Sequence, residues 1–265
     1  MKRFNFSILQ LSKLKVKQEQ MQWKKINFMK QYLILIISLL FSFSNFSQGI
    51  TSIYSFKVEN PNDVQTIIKA MTDHFQTDFA KAGSSSVDIV DEHFNGVEES
   101  NISFVYKFKD IQEMQDEYAR VNSSEEIKKI HEIVLPLVKE NSQTLFRNIT
   151  GRKGMGQTGV TMVFVIKVKN PASYLKAYNE LIDTIEENGK SKLFTEFGLS
   201  EIFAGGQQDT EASHHAIVGA SDMVSLVNGL DELYSSQEFK IFTNKVSDNR
   251  VILSRKTVFK LASFN

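Results

Sequence analysis

Few side chains in this sequence have types and spacing that suggest chemistry. His214-His215 is the one adjacent pair among five histidines. On a strand, successive side chains point to opposite faces, so the two rings cannot chelate one metal ion together. An inward-facing ring could act as a base or a haem ligand. The plainer reading, and the expected one, is a surface histidine beside a satisfied inner one. Arg147 and Arg255 form a second pair, placed at apparently matching points of two related segments. A guanidinium is a planar fork suited to a carboxylate, so the two could frame an anionic ligand. The expected alternative is an outward arginine, or one paired with a strand acid such as Glu92 or Glu201. Asp88, Asp91 and Glu92 crowd one short stretch. Calcium sites draw on loop oxygens at short alternating spacing, so this stretch reads as a solvated strand face.

Composition removes several classes of chemistry. The 265 residues include no cysteine, which excludes disulfides, thiolate zinc sites, cysteine nucleophiles and a lipid-modified cysteine. Thirty-one basic and 31 acidic side chains cancel, so there is no electrostatic case for nucleic acid. No Gly-x-Ser-x-Gly or His-Glu-x-x-His motif is present. Glycines 151, 154, 156 and 159 lack the Gly-Lys-Ser/Thr ending of a phosphate loop and read as a linker. The sequence therefore names no catalytic residue, no cofactor and no metal site.

The elements that must position these residues come in two copies. Phe56-Lys-Val-Glu-Asn-Pro61 recurs as Ile166-Lys-Val-Lys-Asn-Pro171, using two of the three prolines. Each copy of the motif follows a β-rich run, Ser52–Val58 or Met162–Val168. Asn60 and Asn170 then read as N-caps, with proline at the first helical position. Val64, Ile68, Met71 and Phe75 match Tyr174, Tyr178, Leu181 and Ile185 as an amphipathic stripe. Second strands are expected over Val87–Phe94 and Leu193–Phe203, and third strands over Ile102–Phe108 and His214–Ala220. A second helix opens at Asp110 or Asp222, with Tyr118 matching Leu230, and a further segment opens at Ser123-Ser-Glu-Glu126 or Ser235-Ser-Gln-Glu238. The first copy is expected to carry about one extra helical turn, marked by Pro136. Closing strands, Thr144–Ile149 and Val251–Val258, complete β-α-β-β-α-β twice. The domain reading is residues 50–150, a glycine-rich linker at 151–159, and residues 160–265.

The N-terminus reads as an address. Tyr32–Phe43 is an apolar run of signal-peptide length, too short for a membrane span. Residues 29–48 are expected to be a signal peptide cleaved near Ser47, and residues 1–28 a basic extension before the true start at Met29. The mature chain would be exported, periplasmic or secreted, with no stable membrane anchor.

Two β-α-β-β-α-β copies in tandem resemble the dimeric α+β barrel superfamily, which includes antibiotic-biosynthesis-monooxygenase-like domains. The resemblance covers most of residues 50–262 and rests on element order. It implies two four-stranded sheets closing one intramolecular α+β barrel, each covered on one face by helices. Chains of this plan also resemble chlorite-dismutase-like haem proteins, whose haem histidine lies in the second copy; His214 and His215 lie earlier, on the third strand. The expected function is a non-enzymatic binding or interaction module, holding a small apolar or anionic ligand, in a chain that is a pseudo-dimer by itself. The alternatives are a cofactor-free monooxygenase- or isomerase-like enzyme and a haem-binding protein. The lining of the barrel discriminates: phenylalanine and leucine alone argue against catalysis, and a histidine beside an arginine argues for it.

Overall fold

A computed structural model describes residues 49–96, 98–154, 156–206 and 211–264. The expected signal peptide and basic extension lie outside the described residues. β-rich apolar segments set the central strand of each half, β1 (Ile50–Lys57) and β5 (Val160–Val168). β1 pairs with β3 (Ile102–Phe108) and β4 (Lys139–Lys153); β5 pairs with β7 (His214–Ala220) and β8 (Arg250–Phe264). β2 (Ser86–His93) and β6 (Glu196–Gly205) lie beside the third strand of their half. β2 then pairs with β8 and β6 with β4, closing a barrel in the order β1-β3-β2-β8-β5-β7-β6-β4. Every pairing is antiparallel, and closure leaves no strand edge open to another chain. The fold is thus two ferredoxin-like units forming one α+β barrel within a single chain.

β4 and β8 are 15 residues each, far longer than the expected closing strands. Each must pair with its own half early and with the other half late. β4 continues through Lys153, opposite Glu196, so the linker is only residues 154–159. The second strand of the second half starts at Glu196, after a 3-10 turn over Lys190–Leu193.

Backbone register corrects the alignment of the two halves. Ile53 pairs with Thr144, and its counterpart Val163 pairs with Lys256. The bulges also match, at Ser55/Phe56 and Val165/Ile166. On this register the counterpart of Arg255 is Gln143, and that of Arg147 is Phe259. The extra turn expected in the first half is the 3-10 turn at Pro136, and it inserts no residues into the register. α4 (Glu125–Val134) and α7 (Gln237–Val246) both have 10 residues, and Pro136 sits in a 3-10 turn, Leu135–Leu137. Strand pairing leaves no gap between the halves, so the two arginines do not align.

Caps place the other helices: α1 (Asp63–Phe75), the short α2 (Asp78–Lys81), α3 (Ile111–Asn122), α5 (Pro171–Glu187) and α6 (Met223–Ser235). Asp110 accepts from Glu113 N at 2.9 Å and Asp222 from Ser225 N at 2.8 Å. Asn170 caps α5, accepting from Ser173 N at 3.1 Å, with Pro171 next, as expected. Asn60 does not cap α1. The helix starts at Asp63 behind Asn62, and Asn60 Oδ1 accepts only from Asn62 N. Asn170→Ala should therefore cost about 1 kcal/mol, while Asn60→Ala should stay within about 0.5 kcal/mol. Urea unfolding of the two variants checks this; equal losses would contradict the difference in capping.

Helices cover the outer face of each half-sheet. In the first half, Phe56, Ile89, Ile102 and Phe104 pack with Ile67, Met71 and Ile130. In the second, Ile166, Phe197, Leu199 and Val218 pack with Tyr174, Ile185, Leu226 and Phe242. The alternate residues face the lumen, among them Ile53, Ser55, Val105, Asp88 and Glu92 from the first half. Val163, His215, Ile217 and Lys256 come from the second.

Candidate functional site

With the register known, the halves can be compared position by position beneath the helices. β1 and β3 carry Ser52, Tyr54 and Tyr106 toward α3, where the second half carries Met162, Phe164 and Val218. Counted from the capping aspartates, Tyr118 of α3 occupies the place of Leu230 of α6, and Glu117 that of Gly229. An apolar interior in one half is thus lined with hydroxyls in the other.

These hydroxyls converge. Tyr118 Oη lies 2.8 Å from Tyr54 Oη and 3.1 Å from Ser52 Oγ. The Tyr54 and Tyr106 rings meet edge to face at 5.7 Å, and Phe108 meets Tyr118 at 5.9 Å. Burial, reinforced by the bond to Tyr118, raises the Tyr54 phenol above its ordinary range. Burial, with Tyr118 and Glu117 nearby, pushes Tyr106 up to about 12. Both phenols stay protonated and available as donors at any physiological pH. Tyr106 Oη has no hydrogen-bond partner among the described residues. The helix above is not sealed down: Met114 and Tyr118 are half-buried, whereas Leu226 and Leu230 are 0% and 6% exposed. At the C-terminal end of α3, Arg120 donates to Glu117 (2.9 Å) and to the Phe79 carbonyl (2.8 Å), and lies 4.1 Å over the Phe79 ring. That clamp ties α2 to α3. His74 beside it has a lowered pKa, first from burial and then from Arg120.

The lumen holds the second polar group. Glu92 accepts from Ser100 and Ser103, each at 2.6 Å, and Lys256 bridges Glu92 (3.3 Å) and Glu98 (3.0 Å). Asp88 accepts from Lys107 at 2.6 Å and pairs with Lys260 at 3.3 Å. The expectation of a solvated acidic strand is therefore wrong for Asp88 and Glu92, both 6% exposed. Barrel closure turns their face inward, and only Asp91 stays outside, 3.1 Å from His93. Burial alone would raise the Glu92 carboxyl, but Lys256 and the two serines hold it below its ordinary value.

The four residues singled out from the sequence do not form one site. His214 and His215 do face opposite ways. His214 is 3% exposed on the helix side, with Nδ1 2.8 Å from Ser213 Oγ. His215 faces the lumen, its ring 4.6 Å from that of Phe146. Neither fits a haem: His214 is buried beneath the helices with no open face for a planar macrocycle, and Phe146 covers one side of the His215 ring inside the barrel. Arg147 pairs with Glu201 at 2.7 Å and lies 5.2 Å over Phe203. Arg255 lies 5.6 Å over Phe164. The two arginines are not symmetry counterparts and frame no common ligand site. Sequence reading missed the tyrosine cluster and Lys256. The signal was present where the aligned halves differ, Tyr118 facing Leu230.

No protein-family model matches the chain, and no curated protein is similar to it in sequence. Solved structures do share its fold. A candidate monooxygenase from Lactobacillus acidophilus is 10% identical with a TM-score of 0.58, covering 82% of this chain and 96% of that one. An anthrone oxidase-like protein is 12% identical, TM-score 0.53, covering 82% and 92%. A candidate chlorite dismutase is 10% identical, TM-score 0.50, covering 81% and 95%. At such identities the likeness shows the fold alone.

Proposed function

We propose that the chain binds a small, mostly apolar molecule between α3 and the first half-sheet, with a carbonyl or phenolic oxygen of the ligand accepting from Tyr106. The observation that carries this is the Tyr106 hydroxyl, without a protein partner beside the Ser52–Tyr118–Tyr54 chain, in the half whose helix is not sealed. Tyr106 is only half-buried, so its hydroxyl reaches accessible space where a ligand oxygen can accept from it. The second half, filled by Met162, Phe164, Val218 and Leu230, offers no such place.

A second reading is enzymatic, of the cofactor-free monooxygenase or isomerase kind. A protonated phenol donating to a ligand oxygen would stabilise an enolate or phenolate as charge develops on it. The monooxygenase and oxidase-like descriptions of two fold neighbours support this reading. We further propose that the chain is exported and works as a single copy, since it closes its barrel alone.

Native mass spectrometry of the protein from its host tests these readings together. The expected result is one chain starting near Gln48 with a bound small molecule. Tyr106→Phe should weaken that binding about two- to tenfold, the worth of one hydrogen bond. The triple variant Tyr54→Phe, Tyr106→Val, Tyr118→Leu, which copies the second half, should fold and lose the ligand. Retained ligand in that variant would place binding elsewhere, and a ligand that stays unchanged with no oxygen consumed during aerobic incubation would remove the enzymatic reading.

A further inference from the structure

We infer that the barrel lumen is a second binding site, which takes a small neutral molecule with one hydrogen-bonding group on a short branched apolar body, held by His215. This does not rest on the tyrosine cleft, which lies on the other face of the sheet.

His215 pairs with Val165 and Ser200 in register, which places its ring on the inner face. Its neighbours in the electrostatic sense are Lys256, Glu92 and His214. No side-chain hydrogen bond reaches its ring nitrogens among the described residues. His215 as a residue is nevertheless only half-buried on this inner face, so a water-sized sphere reaches part of it. Ile53, Val105, Ile202 and Ile217, on the same inner face, are half-buried as well. Phe146 fixes the ring from one side.

Charge selects the ligand class. Asp88, Glu92 and Glu98 are matched by Lys107, Lys256 and Lys260, so an ion of either sign would enter without a counter-charge. What remains unpaired is a neutral imidazole, which offers one donor and one acceptor. A primary amide or an alcohol with a branched alkyl group matches that pair and the isoleucine–valine wall. In the first half the place of His215 is taken by Ser103, already bonded to Ser55 (2.7 Å) and Glu92, so the lumen holds one such site.

Isobutyramide is the probe, added to the full chain labelled with nitrogen-15 at histidine. His215→Ser identifies the His215 ring resonances. Titration to tens of millimolar is expected to shift them saturably and leave the other histidines in place. Ile217→Phe, which fills the lumen, should raise the dissociation constant at least about tenfold, and Ile53→Phe serves if that variant does not fold. Tyr106→Val with Tyr118→Leu should leave the titration unchanged. No saturable shift, or a shift that survives filling of the lumen, overturns the proposal. A shift lost only in the tyrosine variant places the probe in the cleft, overturning the lumen site while leaving the proposed function intact.

Discussion

Lys256→Met is expected to destabilise the fold by about 3–5 kcal/mol, the usual result of stripping one partner from a buried ion pair. The Lys256 side chain is 14% exposed, and it faces Glu92 at 2% and Glu98 at 14%. Removing the ammonium leaves two carboxylates with no counter-charge inside the barrel. The opposite seam solves the same packing problem without charge, using Thr144 and Ile202 at the corresponding places. The double variant Lys256→Thr, Glu92→Ile copies that seam and should recover part of the loss, because it removes one of the two stranded carboxylates and leaves Glu98. Urea unfolding with an unchanged slope measures both. A loss under about 1 kcal/mol for Lys256→Met would mean the cluster is wet. The pH dependence follows from the directions of the shifts. Glu92 is held low, so its contribution is present above the unfolded carboxylate range and fades as pH falls through the folded value. Lys256 is held high by Glu92 and Glu98 against its burial, so its contribution persists until pH rises past the ordinary lysine range.

His215→Asn is expected to flatten the acid side of the stability curve. Burial, then Lys256, lowers the His215 pKa to about 3, with Glu92 opposing and His214 adding to the fall. The unfolded chain takes up a proton near the ordinary value of about 6.5, and the folded chain does not until far lower. Stability therefore falls as pH drops from about 6.5 toward 3, by up to about 1.4 kcal/mol per unit from this one group. His214 and His74 are also lowered by burial and contribute to the same limb, so the variant should flatten it and not abolish it. Unfolding curves between pH 4 and 7 measure the effect. A His215 ring that titrates near 6.5 in the folded protein would show that the lumen is open water.

The order of elements was legible because each depends on neighbours in sequence. Asp110, Ser124, Asp222 and Ser236 announce helix starts through local hydrogen bonds, and all four act as caps. Asn60 misled because a cap and an Asx turn use the same atoms, and the choice of Asp63 as first residue is made by how α1 meets the sheet. Strand length was underestimated in β4 and β8 for a related reason. Half of each strand is held by a partner from the other copy, and nothing in the strand's own sequence announces it.

The candidate residues divide along the same line. Opposite faces for His214 and His215 follow from strand pleat alone, and the sequence sufficed for that. Which face was the lumen, and that Glu92 would meet Lys256 there, required closure of the barrel, since their partnership joins β2 to β8 across the two copies. Arg147 and Arg255 looked equivalent through coincidence of residue type, and backbone register, a long-range property, separated them. The sequence by itself determined two β-α-β-β-α-β units, because apolar period, caps and turns are local signals. Only the tertiary structure decided that one unit is sealed and the other is lined with hydroxyls, because Ser52, Tyr54, Tyr106 and Tyr118 come from three elements that meet only when the sheet forms and the helix packs on it.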